Sequence, residues 1–151
     1  MNPTMANMSK PLPLIEYSER GELTINEEAV YVLENIRSPI KVVGISGPYR
    51  GGKSYLANFL AGIKTENKKF PLGATVESAT KGIWFYCRKH PQNEDTTVII
   101  LDSEGLDDPK KTDTNTDFKL LTLTILQSTV FILNAVGKIN DADFKLLQYP
   151  F

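Results

Sequence analysis

Apolar residues recur at two different spacings along this chain, and the switches between those spacings predict the order of its elements. Residues 22–25 read as a short strand. Asn26 then offers a helix N-cap, with Glu27 and Glu28 in the first turn, where the helix dipole favours negative charge. Val30, Leu33 and Ile36 share one helical face, so this helix should run to about Arg37 and stop at Ser38-Pro39, because proline cannot continue the ladder. Residues 40–45 form a β-rich run, Ile-Lys-Val-Val-Gly-Ile, that breaks into a glycine-rich loop. The helix expected from Lys53 should bury Leu56, Phe59 and Leu60 and end at Gly62, where a left-handed residue belongs. Residues 83–87 and 97–101 read as strands joined by a turn short enough for an antiparallel hairpin. Residues 118–126 read as a helix and 129–136 as a strand rich in branched residues; a last helix begins near Asn140. Strands alternating with helices predict an α/β fold, with a mostly parallel sheet covered by helices on both faces. Residues 1–19, carrying Pro3, Pro11 and Pro13, read as a flexible leader without chemistry.

Composition narrows the functions this fold could serve. The chain has 151 residues, 41% of them apolar and 23% charged, enough for one domain with a core. Basic and acidic residues number 17 and 18, a net charge of −1, so no global field attracts nucleic acid or an anionic membrane. Any anion site must be local. A single cysteine, Cys87, rules out an intramolecular disulfide framework and fits a reducing compartment. No apolar run is long enough for a membrane span and the polar start lacks a signal-peptide core, which points to a cytoplasmic protein without a direct membrane anchor. The lone histidine, His90, sits in a Lys-His-Pro turn and reads as a solvated loop residue.

The glycine-rich loop changes the picture. Residues 47–54, Gly-Pro-Tyr-Arg-Gly-Gly-Lys-Ser, satisfy G-x-x-x-x-G-K-[ST] between a predicted strand and a predicted helix. Gly47, Gly51 and Gly52 let successive amides turn inward as an anion nest that also takes in Tyr49 and Arg50, with Tyr55 following at the start of the helix. Lys53 would reach the β- and γ-phosphates, and Ser54 would place its hydroxyl on Mg²⁺. Downstream, the strand Val98-Ile99-Ile100-Leu101 runs into Asp102-Ser103-Glu104-Gly105, a D-x-x-G at a strand end. Asp102 would hold Mg²⁺, through water, and Gly105 would offer its amide to the γ-phosphate. Between the two motifs lies Ser78-Ala79-Thr80-Lys81-Gly82, which makes Thr80 the candidate third metal ligand and γ-phosphate sensor.

Together with Leu72-Gly-Ala-Thr-Val-Glu-Ser-Ala-Thr-Lys-Gly-Ile-Trp and Leu101-Asp-Ser-Glu-Gly-Leu, the phosphate-loop segment Gly47-Pro-Tyr-Arg-Gly-Gly-Lys-Ser-Tyr-Leu-Ala-Asn resembles the guanylate-binding proteins, large GTPases related to atlastin and dynamin. The resemblance covers residues 20–149. It implies a P-loop NTPase fold, Mg²⁺-dependent GTP hydrolysis, binding of GTP and GDP, and pairing of two domains, alike or different, through the nucleotide face. It implies that Arg50 acts as an internal arginine finger, a cation at the transferring phosphoryl group worth on the order of 10³–10⁵ in rate. It also implies that Ser78 helps place the attacking water, that Glu104 joins the polar network around it, and that the setting is innate defence or membrane remodelling. Three departures stand out: Pro48 and Gly51 replace bulkier residues beside Arg50, and Ala79 stands where a polar residue is usual.

The resemblance further implies a guanine-reading segment after the switch region, and none is recognised here. Lys111-Thr112-Asp113 has suitable letters but falls in the loop after Gly105. Residues 20–151 are therefore expected to be part of a GTPase domain, without the guanine-specificity segment and the C-terminal helical region, and with apolar surface exposed beside residues 129–136. Two alternatives to a GTPase follow: a module that binds phosphates and pairs with full-length relatives to modulate them, and a weak triphosphate binder without base selectivity.

Overall fold

The computed structural model describes residues 8–64, 69–71, 81–106, 114–139 and 141–148. Its elements are β1 (Leu12–Tyr17), β2 (Leu23–Ile25), α1 (Glu27–Glu34), β3 (Ile40–Ser46), α2 (Lys53–Ala61), β4 (Ile83–His90), β5 (Asn93–Ser103), α3 (Thr114–Gln127), β6 (Val130–Leu133) and α4 (Asp141–Gln148). One sheet of six strands takes the order β2-β1-β4-β5-β3-β6. The α/β expectation holds, but the sheet is mixed where a mostly parallel one was expected. β3 runs parallel to β5 and to β6, while β2-β1, β1-β4 and β4-β5 are antiparallel. The reason is connection length. Strand pairing continues to His90 and resumes at Asn93, and a two-residue connection can only reverse the chain.

Residues 12–17, expected within the leader, are instead an interior strand between β2 and β4. Pro13 concealed this, because proline cannot donate to a ladder; the register shift between Pro13 and Ile15 is where the sheet absorbs it. Leu14 and Ile15 are buried there and belong to the core.

Alternation along β4 and β5 divides that core between the two faces. Ile83, Phe85 and Cys87, with Ile99 and Leu101, pack with Ala29 of α1 and Leu120 of α3. Ile100, with half-buried Trp84, Tyr86 and Val98, packs against Ala57 and Ala61 of α2. Helices thus cover both faces, as the pattern predicted. Phe59 differs from expectation and is 73% exposed. The buried side of α2 is centred on Lys53, Ala57 and Ala61, and a residue two places from Ala57 turns about 200° away from it.

Local signals explain the helix limits. Asn26 Oδ1 accepts the Ala29 amide at 3.0 Å and starts α1. Asn35 Nδ2 donates to Tyr31 O at 2.7 Å, taking up a terminal carbonyl and ending the helix before Arg37. Gly62 closes α2 with φ 67°. Beside the edge strand β6, Leu126, Val130, Val136 and Ile139 are exposed, the apolar surface the sequence led one to expect. Among the described residues no helix is long and apolar enough to cross a membrane.

Cys87 lies fully buried on β4, and burial pushes its thiol up to about 12. Since the unfolded chain releases this proton at lower pH, the neutral buried thiol contributes stability below the ordinary thiol range and loses it as pH rises toward that value. Native protein in mildly alkaline buffer should therefore resist iodoacetamide and react fully once unfolded by urea. Mass spectrometry of the alkylated chain checks this, and rapid native labelling would contradict it.

Candidate functional site

The site forms where β3 and β5 end side by side. Their parallel register sets Ile45 against Asp102, so the loop leaving β3 and the loop leaving β5 emerge together at the carboxyl ends of the strands. Ser103 Oγ ties the strand ends by donating to Ile45 O at 3.0 Å.

The loop of residues 47–52 is held from two sides. On one side Tyr49 N donates to Leu106 O at 2.8 Å and Leu106 N donates to Gly47 O at 3.0 Å. On the other, Asn134 follows β6 and donates its backbone amide to Ser46 O at 2.7 Å and its side-chain Nδ2 to Gly51 O. Two glycines make this fit possible. A Cβ on Gly47 would stand 2.3 Å from Asn134 O, and one on Gly105 would stand 2.7 Å from Tyr49 Cα. Gly52 has a different role, supplying φ 85° at the start of α2.

Buried charge lies inside this frame. Lys53, 6% exposed, donates from Nζ to Pro48 O at 2.8 Å. Burial lowers its pKa, while the carboxylates of Asp102 and then Glu104 act in the opposite direction. Ser54 Oγ donates to Oδ2 of Asp102 at 2.6 Å, and Asp102 is wholly buried. A hydroxyl and a carboxylate that face each other as hard oxygen donors suit Mg²⁺. Glu104, 5% exposed, accepts at Oε2 from the Gly82 amide at 3.0 Å and from the Tyr17 hydroxyl at 2.7 Å.

The structure therefore brings Gly47, Gly51, Gly52, Lys53 and Ser54 together with Asp102, Glu104 and Gly105. Tyr49 joins them through its backbone. Arg50 is exposed at φ 57°, with its guanidinium carbon 5.4 Å from the centre of the Tyr49 ring. Tyr55 contributes its backbone to the first turn of α2 while its side chain is 73% exposed. Ser78 and Thr80 lie outside the described residues, as do Ala79 and the Lys111-Thr112-Asp113 segment. His90 Nδ1 accepts the Gln92 amide in the hairpin turn, away from the site. Among the described residues no group of three or more His, Cys, Asp or Glu could hold a metal by itself.

Sequence reasoning missed Asn134 and Tyr17. Asn134 was detectable as a polar residue just past an apolar strand. Tyr17 was hidden by the prolines that masked β1.

Comparison with known proteins agrees with this geometry. Residues 20–150 match the family model described as guanylate-binding protein, N-terminal domain. The chain is 46% identical over 143 residues to guanylate-binding protein 1 of Mus musculus, covering 95% of this chain and 24% of that protein. It is also 46% identical over 143 residues to guanylate-binding protein 7 of Homo sapiens, covering 95% of this chain and 22% of that one. Guanylate-binding protein 6 of Mus musculus is 45% identical over 139 residues, with 92% and 22% covered. The chain thus spans about a quarter of the length of these relatives.

The glycines separate two kinds of constraint. Gly47→Ala should destabilise the protein by about 1–3 kcal/mol, because the new methyl meets a fixed carbonyl. Gly52→Asn should lose under about 1 kcal/mol, because nothing lies within 4 Å and asparagine tolerates a left-handed backbone. Urea unfolding of both variants checks the order.

Proposed function

We propose that this chain, which belongs to the guanylate-binding protein family, binds the triphosphate of GTP with Mg²⁺ and hydrolyses it. The observation that carries this reading is the cluster beneath the glycine loop, buried Lys53 and Asp102 with half-buried Ser54 bonded to Asp102. An ammonium group held at such a loop neutralises β- and γ-phosphate oxygens, and the loop amides complete the cradle. Exchanging Pro48 O for phosphate gives Lys53 a full counter-charge in place of a dipole, so the desolvation that lowers its pKa is offset by the ligand.

Ser54 and Asp102, with Thr80, would hold Mg²⁺, which when bound supplies positive charge to the phosphate oxygens. Water attacks the γ-phosphorus in line as the bond to the bridging oxygen breaks. Ser78 and Glu104 orient that water, and Arg50, exposed at the rim, swings its cation to the charge that develops. The family resemblance supports the roles of Arg50, Ser78, Thr80 and Glu104. A cytoplasmic setting is part of the same reading.

A second reading is favoured by Tyr55 and Phe59, both 73% exposed on the outer side of the helix that begins at the phosphate loop. In it the chain pairs with a full-length relative through the nucleotide face, where this helix begins, and modulates the relative's turnover. No change in a relative's activity on mixing would dispose of it.

Calorimetry with Mg-GTP, Mg-GDP and Mg-ATP, together with phosphate release across protein concentration, tests the main reading. Lys53→Ala and Asp102→Asn should each weaken Mg-GTP binding at least about tenfold, and chelation should abolish phosphate release. Equal heats for GTP and ATP would remove the guanine preference. No heat with any nucleotide would remove the function.

A further inference from the structure

We propose that Tyr17 is the positioning residue for Glu104, an assignment that rests on the hydrolytic reading above. The Tyr17 hydroxyl comes from β1, 87 residues away in sequence, and donates to Glu104 Oε2 at 2.7 Å. The Gly82 amide donates to the same oxygen at 3.0 Å, and the Glu104 amide returns a bond to Gly82 O at 2.8 Å. A glutamate side chain turns about several bonds, and two donors converging on one oxygen select a single direction for it. At 5% exposure, water competes little for that oxygen.

The same strand also fixes the second donor. A Cβ on Gly82 would lie 2.0 Å from Ile15 O, so β1 presses directly on the residue that presents the amide. β1 therefore acts on Glu104 twice, by its tyrosine and by its hold on Gly82. Glu104 itself lies between Asp102, at the end of β5, and Gly105, which packs on the phosphate loop. Its direction bears on the water that attacks phosphorus rather than on the phosphates already held by the loop. Losing the tyrosine donor slows turnover and leaves nucleotide affinity in place.

Tyr17→Phe keeps the ring and removes only the donor. It should lower kcat roughly tenfold with KM within about twofold, the signature of a contact used after binding. In a Glu104→Ala background the same change should have no further effect, since the partner is gone. In nucleotide-free protein, hydrogen exchange at the Gly82 amide should quicken roughly tenfold while the Ile45 amide is unaffected. Unchanged kcat, unchanged Gly82 exchange, or a KM increase matching the kcat loss together with faster Ile45 exchange would each overturn the proposal. If the unaltered chain releases no phosphate, the hydrolytic reading fails by itself, and Gly82 exchange still decides whether Tyr17 holds the carboxylate.

Discussion

The parallel pairing of β3 with β5 is the constraint on which the site depends. Because Ile45 stands against Asp102, both strands run out at the same level, and a loop from each must share the space beyond. The two loops then pair, through Tyr49 and Leu106 and through Leu106 and Gly47. That pairing removes Asp102 and Lys53 from water, where a charge is stable only with polar partners. Ser54 and Pro48 O supply those partners. A shift of one residue in the β3-β5 register would turn Asp102 to the opposite face and take it away from the Ser54 hydroxyl.

Close approach follows from the same geometry. Gly47 and Gly105 are glycines because backbone fills the space a side chain would need. Arg50 adopts φ 57°, which for a residue with a Cβ costs about 1–2 kcal/mol and persists because flanking hydrogen bonds hold the loop. The strained turn sends a long cation outward into water, beside the Tyr49 ring.

The two halves of the sheet divide the work. Parallel strands β5, β3 and β6 aim loops at one end, and Asn134 after β6 grips the phosphate loop from the side opposite Leu106. The antiparallel half stiffens what lies beside it. β1 covers Gly82, and the Tyr17 hydroxyl reaches across to the D-x-x-G segment. A strand that contributes no loop to the site still reaches it twice, by the Tyr17 hydroxyl on Glu104 and by the Ile15 carbonyl against Gly82.

Much of this was legible in the linear order of residues. Periodicity placed α2 and its Gly62 terminus, the hairpin of β4 and β5, and the apolar strand before Asp102, because these depend on neighbours a few residues apart. The spacing of Gly47, Gly52, Lys53 and Ser54 marked the loop that the structure brings beside Asp102, for the same reason: a nest is made by consecutive amides. What remained hidden depends on partners distant in the chain. Pro13 looked like a breaker until a register shift in the sheet accommodated it, and Tyr17 meets Glu104 only after β1 has paired with β4. Asn134 likewise acquires its role only when β6 pairs beside β3. Local composition sets which loop can hold an anion. The sheet decides which distant side chains support that loop, because hydrogen-bond partners and excluded volume come into being only when the strands are assembled.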